Sequence, residues 1–411
     1  MASQLIKKVT ILDKTSPFHE KVVDVLIENG IVKKIEKKIE NTTAIVFDGK
    51  GKYLSPSWIG LMADFADPGH EYRENIQSGL DAAQNGGFGQ VLLLPNTQPA
   101  ISNKSTLKAV IDNGKGHKVK LNAMGSISQN IEGKALAEMQ DMHEAGAIAF
   151  SDGWKPLEHA GLMQKALEYV KTFDGVIVQL PLMPSLADGL MNESEYSVKF
   201  GMPGIPNIAE SLMVNRDIEL ARYTKSRVHL SGITTAESVQ LIKNAKKAGV
   251  QVSCSVTPYH LLFTEKDLEN YDSLYKVYPP LRGEQDRKAL LKALEEGVID
   301  CVAIHHKPHN WDEKEVEFEY AKSGMAALET SWPMLLQAAP RISAVQWTAL
   351  LSSNIAKIFN INLETIQEGA SANFTLFDFD SIWTLERSQA KSLAYNIPLL
   401  HTKLQGKATV I

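Results

Sequence analysis

The residues whose types could do acid–base or metal chemistry stand at a few separated points. Asp64 and Asp152 offer carboxylates, and the run His305-His306-Lys307-Pro308-His309 offers imidazoles. A dinuclear hydrolytic site needs several such donors converging from different strands, with one position left open for water. Each of these points follows an apolar run. The equivalent points after the other apolar runs carry Met62, Asn96, Leu180, Gly232 and Thr257. Leu180 and Gly232 have no side-chain donor, and the thioether of Met62 is a poor partner for zinc beside oxygen ligands. The residues therefore predict a poor metal site. Asp64 also reads as a loop carboxylate bonded to backbone N–H groups, and Asp152 as a cap within the turn Ser151-Asp152-Gly153. Three histidines within 305–309 still need a ligand from elsewhere to hold a metal. His229 and His260 have no evident chemical partner and read as core residues.

The elements that must position these residues alternate. Apolar runs ending near Phe65, Leu94, Ile127, Asp152, Leu180, Gly232, Val256 and Ile304 are separated by helical patterns such as Ile208–Thr224 and Thr235–Ala248. Strands alternating with helices predict a parallel sheet, and eight in succession predict closure into a (β/α)8 TIM barrel over 56–360. Barrel enzymes carry their sites at the C-terminal ends of the strands, which is where the residues above fall. Residues 1–55 read as short strands with a hairpin across Asn29-Gly30, and 361–411 return to β texture at Asn373–Asp378. Neither piece can cover its own apolar face, so together they predict a small β-sandwich.

The composition narrows the classes. A net charge of −5 with no basic run argues against nucleic acid. No apolar run approaches the roughly 20 residues that span a bilayer, and Met-Ala-Ser-Gln-Leu-Ile-Lys-Lys lacks a leader pattern, so a cytoplasmic protein is expected. Cys254 and Cys301, both inside apolar runs, read as buried thiols.

Several segments together resemble the dihydroorotases of the amidohydrolase superfamily, in particular the long form. They are Asp67-Pro-Gly69 with Glu71-Tyr-Arg73, Leu94-Pro-Asn-Thr-Gln-Pro99, Gly146–Gly153, Val256–Thr264, Tyr278-Pro-Pro-Leu-Arg282 and Pro308-His309, in the family's order. The resemblance implies a His-x-His pair and an Arg on the first strand, where this chain has Met62, Asp64 and Ala66. It implies histidines after the fifth and sixth strands, where Leu180 and Gly232 stand. It implies an Asp as metal ligand and general base after the eighth, where His305 stands. Asp152 alone matches a family ligand position, and Asn96 and His309 match positions that contact substrate. A metal lowers the pKa of bound water from about 15.7 to about 7, and losing that shift is worth roughly 12 kcal/mol, which one imidazole does not replace.

The expectation is therefore a dihydroorotase-like protein of pyrimidine biosynthesis with no cofactor. It would be catalytically silent and would act as a structural or regulatory partner of aspartate carbamoyltransferase, the partner that the resemblance implies. A homo-oligomer is compatible with this expectation. The alternative is an active cyclic-amide hydrolase with a reduced mononuclear zinc site built on Asp152, Asp64 and His305. A third expectation is a sensor that keeps a pocket through Asn96 and His309.

Overall fold

The computed structural model describes residues 3–40 and 43–411. Met1 and Ala2, which open the segment lacking a leader pattern, lie outside the described residues.

Trp58–Ala63, Phe88–Leu93 and Lys120–Ala123 form a parallel sheet. Val176–Gln179, Arg227–Ser231, Val252–Val256 and Cys301–Val302 form a second. Phe150 joins them, bridging Gly125 on one side and Ile177 on the other. On the far side Ile304 donates its N–H to the Leu61 carbonyl at 2.9 Å, and Asp64 to that of His306 at 2.8 Å. These contacts close an eight-stranded barrel. The fourth strand, expected over Gly146–Phe150, is reduced to bridge contacts. Its amides and carbonyls still serve both neighbours, through Ile148 to Ala123 and Val178 to Phe150, but it is too short to build a ladder. The first and second barrel strands are buried at every residue, as strands covered on both faces must be.

Helices between the strands begin at side-chain caps. Asn75 accepts from the Ser78 amide, Asn103 from that of Thr106 and Thr235 from that of Ser238. The helix Ile208–Thr224 has the bounds that its sequence pattern predicts. Gly87 and Gly249, each just past a helix, have positive φ as expected of left-handed terminators.

The terminal segments share one seven-stranded sheet, the basis of the β-sandwich. Val22–Glu28 and Ile31–Glu36 pair with Glu28 opposite Ile31, and Asn29 and Gly30 both adopt positive φ, as a two-residue hairpin turn demands. Phe374–Phe377 pairs antiparallel with Tyr53–Pro56 and with Ala408–Val410, tying the C-terminal piece to the N-terminal one. Part of 361–411 does something else: it crosses the barrel mouth. Ser392 and Leu393 donate to the buried Glu74 carboxylate, Lys391 and Ser392 donate amides to Glu329, and Asn396 brackets the 307–309 backbone. The sequence shows no period or turn that marks this strap.

Candidate functional site at the barrel mouth

The backbone at the strand ends is unusual before any side chain is considered. Met62, Ala66 and His305 have φ of 62°, 57° and 47°, and Gly232 has 78°. Left-handed backbone at non-glycine residues costs energy and gathers at active sites and ligand clamps.

Asp64 follows the first strand. One oxygen accepts the Ala66 amide at 2.8 Å, which is the loop-carboxylate arrangement, and the other accepts the Trp154 indole N–H at 2.8 Å. Asp152 is buried, and its carboxylate accepts the Ile127 and Ser128 amides at 2.9 and 3.0 Å and the Ser128 hydroxyl at 2.5 Å. Burial pushes its pKa up, against the pull of those bonds. It fastens the third-strand loop to the fourth, a capping role. Asn96 bonds the Asp152 carbonyl and the Trp154 amide. Gly153 has φ +58°, and a Cβ there would lie 1.7 Å from the Asn96 carboxamide oxygen, so this turn accepts only glycine.

His305 is fully buried. Its Nε2 lies 2.9 Å from the Ser231 hydroxyl, which bonds Ser255 at 3.0 Å; Ser255 bonds His229 at 3.0 Å, and His229 reaches Ser253 at 2.9 Å. This chain of hydroxyls and imidazoles fills the barrel interior. Burial holds His229 and His305 neutral, pushing each pKa down to about 3, with neighbouring positive charge acting the same way. A base so weakened suits packing rather than proton abstraction near neutral pH. His260 is bonded to Thr257 and to the Pro279 carbonyl, a core role as expected.

Gly232 explains where the His305 ring goes. A Cβ at 232 would stand 2.6 Å from the ring's Cε1. The imidazole occupies the room that a side chain on the sixth strand would need, so the two changes are sterically coupled.

The histidine run does not converge. His306 packs on Phe65 and lies 3.6 Å from the buried Glu74 carboxylate. His309 is held by Glu313 at 3.1 Å and by the Ser323 carbonyl at 3.1 Å. Leu180, Met62 and Ala66 are buried apolar residues. Burial acts to raise the pKa of Glu313, but bonds and charge from His309, with the Arg73 guanidinium, hold it at about 2. A carboxylate depressed in the folded state contributes stability that is present above its unfolded pKa and lost as pH falls through the folded value. Glu313→Gln is therefore expected to flatten the acid limb of the stability profile between about pH 4.5 and about pH 2. Denaturant melts of both proteins across that range measure it.

The residue that sequence reasoning missed is Trp154. Its indole is pinned by Asp64, meets His305 edge-on at 5.5 Å, and carries the Lys307 ammonium over its face at 4.7 Å. A cleft of about 610 Å³ at the mouth is lined by Glu132, Asp152, Trp154, Lys155, Pro184 and Tyr278. Met62, Asp64 and His305 do not line it. The only signal in the sequence is a large aromatic placed directly after Ser151-Asp152-Gly153.

These residues do not fit a zinc pair. His305 Nδ1 is a buried ring nitrogen without a partner, yet among the described residues no group of three His, Cys, Asp or Glu could hold a metal ion. Asp64, Asp152 and His305, the trio required for a mononuclear site, each give at least one polar atom to another bond, and they do not form a group that could hold a metal.

The fold, a strand-end mouth on a (β/α)8 barrel beside a terminal β-sandwich, is that of the cyclic amidohydrolases. The L-hydantoinase (dihydropyrimidinase) from Arthrobacter aurescens superposes with a TM-score of 0.84 at 22% identity, over 100% of this chain and 95% of that one. The dihydropyrimidinase from Brevibacillus agri gives 0.82 at 20%, over 100% and 93%. A Dihydro-orotase-like family model matches residues 51–238. The chain is 37% identical to the dihydroorotase of Acetivibrio thermocellus, over 94% of this chain and 92% of that protein. It is 36% identical to that of Elusimicrobium minutum, over 98% and 94%. The chain belongs to the dihydroorotase family.

Proposed function

We propose that this protein serves pyrimidine synthesis as a non-catalytic, dihydroorotase-like partner that binds and shapes an aspartate carbamoyltransferase. One observation supports the silent half of this reading: at the strand ends Asp64 and His305 are engaged by the chain's own Trp154 and Ser231. Function resides in the site rather than the fold, and here Asp64 and His305 are bonded within the protein while the cleft beside Trp154 is lined by neither of them. Asn96 and His309, the positions that would keep a substrate pocket, spend their polar atoms inside the protein. The partner half rests on the family resemblance.

The test mixes the purified chain with the carbamoyltransferase of the same organism. Co-elution in size-exclusion chromatography, with a change in transferase activity, is the expected result. Separate elution with unchanged activity overturns the partner assignment.

A further inference from the structure

The end of the barrel opposite the mouth meets the β-sandwich along a seam, where Thr375 and Asn373 donate to the Gly87 and Gly89 carbonyls. Three lysines from distant parts of the chain converge on this seam. Lys118 stands just before the third barrel strand, Lys52 just before Tyr53–Pro56, and Lys407 just before Ala408–Val410. They line one cavity of about 330 Å³ together with Phe47, Asp378 and Ile411. Lys118 gives its ammonium to the Val410 carbonyl at 3.1 Å, and burial pushes its pKa down with no carboxylate acting against it. Lys407 rests on the face of Trp383, 5.5 Å from the ring centroid. Lys52 comes no nearer than 3.9 Å to Asp378, whose two oxygens already accept the Ser381 amide at 2.9 Å and the Ser381 hydroxyl at 2.7 Å. Even with a carboxylate on Ile411, the lining sets three cations against two anions. Like charges gathered around one cavity repel, and this surplus stands in a chain whose net charge is −5.

We infer that this cavity binds a small phosphate-bearing molecule, with its phosphate oxygens among the ammonium groups of Lys52, Lys118 and Lys407. Lysine meets phosphate as a point charge with three rotatable donors, so three lysines from separate segments can surround one group without a preset fork. The half-buried Phe47 forms part of the wall and offers an apolar surface to the organic part of such a molecule. An apolar wall with a few convergent charged groups is the usual make-up of a small-molecule site. Lys118 belongs to the barrel, and Lys52 and Lys407 to the strands of the sandwich. A bound phosphate therefore links the two parts of the fold. The cavity lies at the far end of the barrel from Asp64, Asp152 and His305, and the inference is independent of the carbamoyltransferase reading.

Isothermal titration calorimetry of the full chain in magnesium-free buffer tests this with two probes, inorganic pyrophosphate and phenyl phosphate. The expected result is saturable one-to-one binding of at least one of them, with a Kd at or below about 1 mM. Tighter binding of phenyl phosphate assigns the site to a phosphate ester, and tighter binding of pyrophosphate assigns it to an inorganic polyphosphate. Lys118→Gln and Lys407→Gln are each expected to weaken the preferred probe about tenfold, the effect of one close charge in a partly screened site. Lys118→Arg keeps the charge in case the loss of the Val410 bond disturbs folding, and it is expected to retain binding. Lys33→Gln, on the strand Ile31–Glu36 and away from the cavity, is expected to bind as the parent does. No saturable binding of either probe up to about 10 mM, or a loss in Lys33→Gln as large as that in Lys118→Gln, overturns the proposal.

Discussion

Replacing Glu210 by Ala is expected to cost about 3–5 kcal/mol, the range for removing one partner from a buried charged network. Glu210 lies on the helix Ile208–Thr224 and is fully buried. Its carboxylate accepts the Thr234 amide at 2.9 and 3.1 Å, the Thr235 amide at 3.0 Å and both threonine hydroxyls. These groups are the loop that leaves the sixth barrel strand, just beyond Gly232. Arg282 completes the network: it donates to the Thr234 hydroxyl at 3.1 Å, to Asn192 at 2.8 Å and to the Ile205 carbonyl at 2.7 Å, and its Nη2 has no acceptor. Without Glu210 the guanidinium stays buried with less compensating charge, and two amides lose their acceptor. Glu210→Gln keeps the shape but turns an NH2 toward N–H donors, so it is expected to recover little. Urea unfolding compares the three proteins; a loss below about 1 kcal/mol for the Ala variant would contradict this account.

Placing at 232 the histidine that the resemblance implies should damage the protein rather than supply a ligand. Gly232→His places a side chain on left-handed backbone, costing roughly 1–2 kcal/mol, and drives its Cβ into the His305 ring, where overpacking typically costs about 1–3 kcal/mol. The sum, about 3 kcal/mol, is comparable to a large core defect. The steric part belongs to a pair and not to one site. Gly232→His with His305→Asp is therefore expected to be more stable than the two single effects added together predict, by about 1 kcal/mol or more. Strict additivity in the double-mutant cycle would show that the His305 ring does not fill the space that residue 232 vacates.

The barrel was legible because strand and helix periodicities are local, and eight alternations admit few closed arrangements. The hairpin across Asn29-Gly30 was legible for the same reason. What residues Met62, Leu180 and Gly232 cannot bind was also legible, since it follows from side-chain chemistry alone. What the side chains at the strand ends bond to was not. Asp152 read as a cap within its own turn, and only the distances to Ile127 and Ser128 show that its carboxylate caps the third-strand loop. Trp154 is held by a partner 90 residues away, Asp64, and meets another further on, His305. The His305–Gly232 exchange is a contact between two strands, invisible to any periodicity. The strap through Ser392 and Asn396 depends on the buried carboxylates of Glu74 and Glu329, whose partners no spacing rule connects.

Catalytic silence is the reading that the bonds of Asp64, Asp152 and His305 support. Its most direct test is dihydroorotate hydrolysis by the pure protein supplied with excess zinc, with bound metal measured on the same sample after gel filtration. The account predicts no turnover above the uncatalysed rate and no stoichiometric zinc. Turnover that a chelator abolishes, carried by protein retaining one zinc or more per chain, would contradict it.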